Sequence, residues 1–374
     1  MIKNFLNRFH VVNGMAGFLC VIIRSMFVTL FLTVSFFIRL KLQQAGINPF
    51  TIKIFTGLAV FSGIVYVGAW RLYSVSRCFE IIYAILFTVI ITFLFAFMSI
   101  GFIELLTGFS KFTRTKLFIA IALTCILSIY SMLEAYFVRP VYINITTKKL
   151  PPEIPKIRIT YLTDVHLGGV YTLKHFERVM QIVNNSKPDI FILAGDIVDG
   201  DMTSRTRELE LLSSAAKKAK YGAFAVNGNH EYYHIYNMDV ENIIREQNFN
   251  YLIDERFDLE NLNMAVIGFD DKKFGWLRPY LKDGDENRFV FLIKHRPGLP
   301  HDAENRFDLQ ISGHTHNGQF WPMGYFKNIS SKSTQGFSQK AGGYVYVSNG
   351  AGFNGPMMRF FAPPEVTIID ITRE

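Results

Sequence analysis

The chain has 374 residues, half of them hydrophobic, and a formal charge of +8 at neutral pH. Residues 1–150 hold 14 Lys and Arg against 3 Asp and Glu, while residues 151–374 hold 25 against 28. The basic excess therefore lies wholly beside the apolar third, where cations flank membrane segments, and the acidic balance of the remainder argues against a nucleic-acid enzyme, whose basic face would fall on its catalytic part.

In chain order, the first apolar candidate is Val11–Ile38, interrupted by Arg24, whose long stem can carry its charge to an interface. Ile54–Trp70 follows, ending in Trp70 and Tyr73, amphipathic rings suited to the head-group zone. Ile81–Ile103 contains no charged residue and is long enough to cross about 30 Å of hydrocarbon as a helix. Leu117–Leu133 is also uncharged and extends to Val138 if Glu134 sits near an interface. Four spans are expected over a transmembrane helical region of residues 1–140, with three as the alternative. Arg24, Glu104 and Glu134 lie near span ends, so an anchor is expected rather than a transport path. The basic residues divide seven against six between the two sides, which leaves the orientation open.

Cys20, Cys78 and Cys125 all fall in this apolar region, so the C-terminal part has neither a disulfide framework nor a thiolate metal site. Residues 141–155 contain Pro151, Pro152 and Pro155, which favour an extended connection. From residue 156 to 374 the pattern alternates: a strand over Ile157–Leu162, a helix over Leu173–Asn184, a strand over Ile190–Leu193 and a helix over Arg205–Lys220. Apolar runs follow at Ala223–Val226, Met264–Phe269, Phe289–Ile293, Leu309–Ile311 and Tyr344–Val347. Strand–helix alternation giving way to strands predicts an α/β sandwich of mixed sheets flanked by helices.

Five of these strands end in residues with metal-ligand chemistry. Asp164 and His166 follow the first, Asp196 the second, and Asn229, His230 and Glu231 the third; His295 follows Phe289–Ile293, and His314 and His316 follow Leu309–Ile311. Ligands collect outside the carboxyl ends of strands in open α/β sheets, so neighbouring strands would bring all five segments to one site. In extended chain, residues i and i+2 project to one side, which lets Asp164 with His166, and His314 with His316, face one ion. Carboxylates, imidazoles and an amide oxygen without sulfur suit Mn, Fe or Zn. Asp199 and Glu231 read as supports of such ligands. His10, His175, His234 and His301 read as structural, Asp270 and Asp271 as turn caps, and Arg296 as facing phosphate or solvent.

Asp164-Val-His166, Gly195-Asp196, Gly228-Asn229-His230-Glu231, His295 and Gly313-His314-Thr-His316, in that order, resemble the signature of calcineurin-like metallophosphoesterases. The segment Gly313–Pro322 and the tail Ser348–Glu365 are similar to a membrane-associated bacterial subgroup, some of whose members cleave the pyrophosphate of UDP-2,3-diacylglucosamine. Asn317 stands where that subgroup usually has Gly. The resemblance implies one divalent cation on Asp164, His166, Asp196 and His316 and a second on Asp196, Asn229, His295 and His314, with His230 facing the substrate phosphate as a catalytic residue. It implies a hydrolase of phosphodiester or pyrophosphate bonds in a bacterial inner membrane, using a metal-bridging hydroxide, with a lipid-linked substrate and no nucleic-acid partner. The alternative is a phosphoesterase-fold binding or regulatory module attached to a membrane transport region.

Overall fold

A computed structural model describes residues 15–72, 77–168, 172–200, 202, 205–233, 238–272, 275–325 and 334–374. They divide into two compact units, residues 15–72 with Cys78–Ile129, and Arg77 with Tyr130–Glu374.

Among the described residues, the first unit is built on α1 (Met15–Gln44), α2 (Pro49–Leu72), α3 (Arg77–Leu106) and the greater part of α4 (Arg114–Tyr136), whose end from Tyr130 belongs to the second unit. Their Leu, Ile and Phe runs are apolar around the whole circumference, as suits helices surrounded by lipid or by one another. Among the described residues, three are long and apolar enough to cross a membrane, within Pro49–Tyr66, Ile81–Leu106 and Arg114–Tyr136. The first candidate forms the 30-residue α1, though its residues 11–14 lie outside the described ones. Glu104, buried at the end of α3, has Lys41 Nζ at 2.9 Å and Lys116 Nζ at 3.6 Å. Those two cations compensate a carboxylate that would otherwise be costly to bury.

The second unit is a sandwich of two six-stranded sheets. One contains β1 (Arg139–Thr147), β2 (Lys156–Leu162), β3 (Ile190–Ala194), β4 (Ala223–Val226), β5 (Asn250–Tyr251) and β12 (Glu365–Arg373), in the order β1-β12-β2-β3-β4-β5. The other contains β6 (Glu255–Leu259), β7 (Met264–Phe269), β8 (Phe289–Lys294), β9 (Leu309–Ser312), β10 (Gly336–Lys340) and β11 (Gly343–Val347), in the order β10-β11-β9-β8-β7-β6. All seven apolar runs read from the sequence are strands. β12 was not among them: it lies antiparallel to β2 and parallel to β1. The expected extended connection over 141–155 contributes to β1, paired with β12 from Arg139 to Thr147.

Alternate residues of the two sheets meet in the middle. Ile157, Ile159 and Tyr161 of β2, Ile190 and Ile192 of β3, and Phe224 of β4 face Val266, Phe291, Ile293 and Ile311 across the sandwich. Each such side chain stabilises the fold by about 1.5–3 kcal/mol on burial. The outer face of the first sheet is covered by α5 (Leu173–Ser186) and α6 (Thr206–Lys218). In α5, Phe176, Val179, Met180 and Val183 recur at helical spacing and are all buried, and Thr172 caps its start by accepting from the His175 N–H.

This topology places the site. β2, β3 and β4 are mutually parallel, as are β7, β8, β9 and β11. The carboxyl ends of each parallel set therefore lie along one edge of its sheet.

Candidate metal centre

The loops after β2, β3, β4, β8 and β9 bring the sequence-predicted residues into contact. Asp164, His166 and His316 offer ligand atoms within 4.8 Å of one another, and so do Asp196, His295 and His314. Asp196 lies at the centre: its Oδ2 is 3.1 Å from His295 Nε2, 3.8 Å from His230 Nε2 and 4.0 Å from His166 Nε2. His316 Nε2 lies 3.2 Å from Asp164 Oδ1 and 3.0 Å from His166 Nε2. Asn229 is buried beside them on the loop after β4.

The backbone is bent to achieve this. Asp164, His166, Asp196, His314 and His316 all have positive φ, between 49° and 69°. Side-chain-bearing residues rarely adopt that region, and strain of this kind concentrates at functional sites. Glycines allow the loops to approach. A Cβ on Gly313 would meet Asp164 Oδ2 at 2.2 Å, and one on Gly228 would meet Asp196 Oδ1 at 2.2 Å.

Neighbouring groups hold each donor in place. Asp164 accepts from the Thr163 hydroxyl (2.8 Å) and from the His314 N–H (2.9 Å). His295 Nδ1 donates to the Ala194 carbonyl at 3.0 Å, which turns the lone pair of Nε2 toward Asp196. That buried Nε2 lies 3.1 Å from Asp196 Oδ2, so the two groups aim at a common point. Glu231 closes the loop after β3: its carboxylate accepts from the backbone N–H groups of Asp196, Ile197, Val198 and Gly228.

The electrostatics follow from this crowding. Burial opposes ionisation of Asp164 and Asp196, yet nearby imidazoles hold both carboxyls well below the usual range. His295 is raised to about 10, Asp196 outweighing burial, so a proton stands where a dication would take its place. Burial pushes His314 down to about 2 and His316 to about 3, which keeps both rings neutral and able to donate a lone pair. His230 behaves differently. Its Nδ1 lies 2.8 Å from Asp199 Oδ1, and Asp199 and Asp196 raise it to about 9 against burial. Asp199 Oδ2 also lies 3.4 Å from His166 Nδ1.

Sequence reasoning missed Arg359. It is fully buried and donates to the carbonyls of Gly352, Asn349, Ala362 and His316, with Nη2 3.1 Å from His316 Nδ1. The available signal was a lone arginine inside the apolar run Met357–Phe361, since a guanidinium is seldom buried without partners. Among the other sequence readings, Asp271 pairs with Arg296 at 2.9 Å, and Asp270 accepts from Tyr232 and Asn227. His175 is buried against Phe353, and His301 packs on Trp276. His10 and His234 lie outside the described residues.

A buried set of imidazoles and carboxylates at the carboxyl edge of an α/β sandwich forms candidate metal-ligand groups of the kind metal-dependent hydrolases use. The profile of the calcineurin-like phosphoesterase family matches residues 157–318. An uncharacterized metallophosphoesterase of Aquifex aeolicus is 36% identical over 256 residues, 66% of this chain and 96% of that one. A second, from Campylobacter jejuni, is 31% identical over 60% of this chain and 62% of its own length. A Danio rerio protein described as a transmembrane protein with metallophosphoesterase domain is 26% identical over 69% of this chain and 63% of its own. The chain belongs to the calcineurin-like metallophosphoesterase family, hydrolases acting on phosphoester bonds.

Proposed function

We propose that the chain is a membrane-anchored, two-metal phosphodiesterase or pyrophosphatase acting on a lipid-linked substrate, in a bacterial cell membrane. The observation that carries this reading is the central position of Asp196, whose carboxylate faces donors from both ligand groups. Asp164, His166, Asp196 and His316 would hold one divalent cation, and Asp196, Asn229, His295 and His314 the other. Bound there, two such cations supply a hydroxide nucleophile at neutral pH and neutralise phosphate oxygens as charge builds. The absence of thiolates supports Mn, Fe or Zn.

The chain's own residues supply the rest. His230, kept protonated by Asp199, would donate a hydrogen bond to a phosphate oxygen or a proton to the leaving oxygen. Glu231 holds the strained turn at Asp196 without contributing a ligand. The lipid-linked substrate is supported by the apolar helices, which would keep the hydrolase beside a bilayer; the name of the Danio relative, a transmembrane protein with metallophosphoesterase domain, supports the membrane anchoring.

Purified full-length protein in detergent with Mn²⁺ should hydrolyse bis(p-nitrophenyl) phosphate. Asp196→Asn should abolish both activity and bound metal, and His230→Ala should lower activity by about 10²–10⁴ while leaving the metal bound. Hydrolysis that survives both substitutions refutes the assignment.

A further inference from the structure

The second unit carries an apolar rim that the metal chemistry does not use. Trp321, Met323, Tyr325 and Phe361 are 47%, 47%, 66% and 60% exposed. Exposed hydrophobics scattered singly need no explanation. These four belong to two segments held together, through the Trp321 N–H to the Phe360 carbonyl (2.8 Å) and the Phe320–Phe360 bridge.

The two segments are almost without charge. No Asp, Glu, Lys or Arg occurs from Thr315 to Tyr325, and the only one from Phe353 to Pro364 is Arg359, which is buried. A water-facing surface of this size would ordinarily carry charged residues. A surface seated among lipid head groups favours aromatic rings instead, above all Trp and Tyr.

The rim is also continuous with the end of a membrane-capable helix. Tyr130, in the last two turns of α4, has its ring 5.6 Å from that of Phe361 and 5.8 Å from that of Phe360. The Ser131 carbonyl accepts from the Arg359 N–H at 2.9 Å, and the Glu134 carboxylate accepts from the Ala362 N–H at 3.2 Å. α4 ends at Tyr136, so these contacts occur where that span would leave the hydrocarbon. The opposite edge of the same segments reaches the metal centre, through Arg359 on His316.

We propose that Trp321, Met323, Tyr325 and Phe361 form an interfacial rim that sits in the head-group layer of the bilayer beside the exit of α4. The metal centre then lies at the membrane surface, and a phosphorylated amphiphile reaches it from the leaflet without entering bulk water. This deepens the phosphoesterase reading and rests on it for the substrate, but the position of the rim is tested without any activity measurement.

The full-length protein with Trp70→Phe and Trp276→Phe keeps Trp321 as its single tryptophan. It is reconstituted into phosphatidylcholine–phosphatidylglycerol vesicles containing lipids brominated at shallow or deep acyl positions. A second protein places the reporter at Phe361→Trp, with Trp321→Phe added. Shallow bromines should quench both reporters at least twofold, deep bromines should quench them less, and aqueous iodide should have little effect. Iodide quenching without lipid quenching in both proteins overturns the rim. Loss of bis(p-nitrophenyl) phosphate hydrolysis in the unsubstituted protein would instead overturn the phosphoesterase reading while leaving the quenching result intact.

Discussion

The guanidinium of Arg359 donates to the carbonyl of His316 and presents Nη2 to the same residue's Nδ1 at 3.1 Å. Burial first, and the neighbouring guanidinium after it, disfavour protonation of that ring. His316 is thereby kept neutral and in a fixed orientation, while its own backbone stays in the strained left-handed region. Arg359 thus acts as a positioning residue, reaching the centre through a histidine.

Replacing it tests this role. Arg359→Lys keeps the charge but cannot reproduce a planar fork shared among several acceptors. Metal affinity, followed by elemental analysis after dialysis against graded chelator, is expected to fall about 10–100-fold. Arg359→Ala leaves several buried carbonyls without a donor at about 1–3 kcal/mol each, so it should also lower thermal stability. Unchanged metal affinity in Arg359→Lys would exclude the positioning role.

His230 and Asp199 make a second test. His230 is held at about 9 by Asp199 and Asp196 against the effect of burial, so it is protonated at neutral pH and loses its proton on the alkaline side. Hydrolysis that depends on its proton should therefore fall as pH rises through that value. Asp199→Asn removes the leading cause of the shift and should move the falling limb to lower pH. His230→Ala should reduce kcat by about 10²–10⁴ with metal content unchanged. The measurement is a pH–rate profile on bis(p-nitrophenyl) phosphate for all three proteins.

Glu231 accepts four backbone N–H groups with one buried carboxylate. Glu231→Gln turns one acceptor oxygen into a donor facing donors, at a cost of about 2–4 kcal/mol from the lost charge-assisted bonds and the clash. The expected result is a lower melting temperature in detergent together with weaker metal retention. A variant with wild-type melting would show that the loop at Asp196 is held by its other contacts.

A carboxylate cluster remote from the metal ligands governs part of the acid stability. Asp258 receives Arg256, Lys282 and Arg288, which outweigh burial and hold it at about 2. Its folded value lies below the unfolded value of about 3.9. The contribution is therefore present above about pH 4 and lost as pH falls through about 2. Asp258→Asn should cost about 1–2 kcal/mol at pH 7, allowing for partial solvent screening. The gap to wild type, measured by denaturant unfolding, should close between pH 4 and pH 2.

Much of the architecture was legible because its signals are local. Ile190–Leu193 and Phe289–Ile293 are short buried runs, and Leu173–Asn184 has helical spacing, so each declared its type within its own window. β12 escaped because Glu365–Arg373 interleaves charges with apolar residues, and its place beside β2 depends on a partner some 200 residues away. β1 escaped for the same reason, its pairing with β12 being visible only once both are in place.

The metal centre divides along the same line. The residue types, their order along the chain and their position after strands were all present in the sequence, since ligand chemistry resides in side chains. The left-handed backbone at Asp164 and Asp196, the orientation of His230 by Asp199 and the packing of Arg359 against His316 were decided by tertiary structure alone. Each depends on a distance between segments remote in sequence, and no local pattern encodes such a distance. The apolar composition of residues 15–136 likewise determined that helices able to cross a membrane would form. That the last of them ends against the loop carrying Arg359 could be known only from the folded chain, because Tyr130 and Phe361 meet through packing and not through sequence proximity.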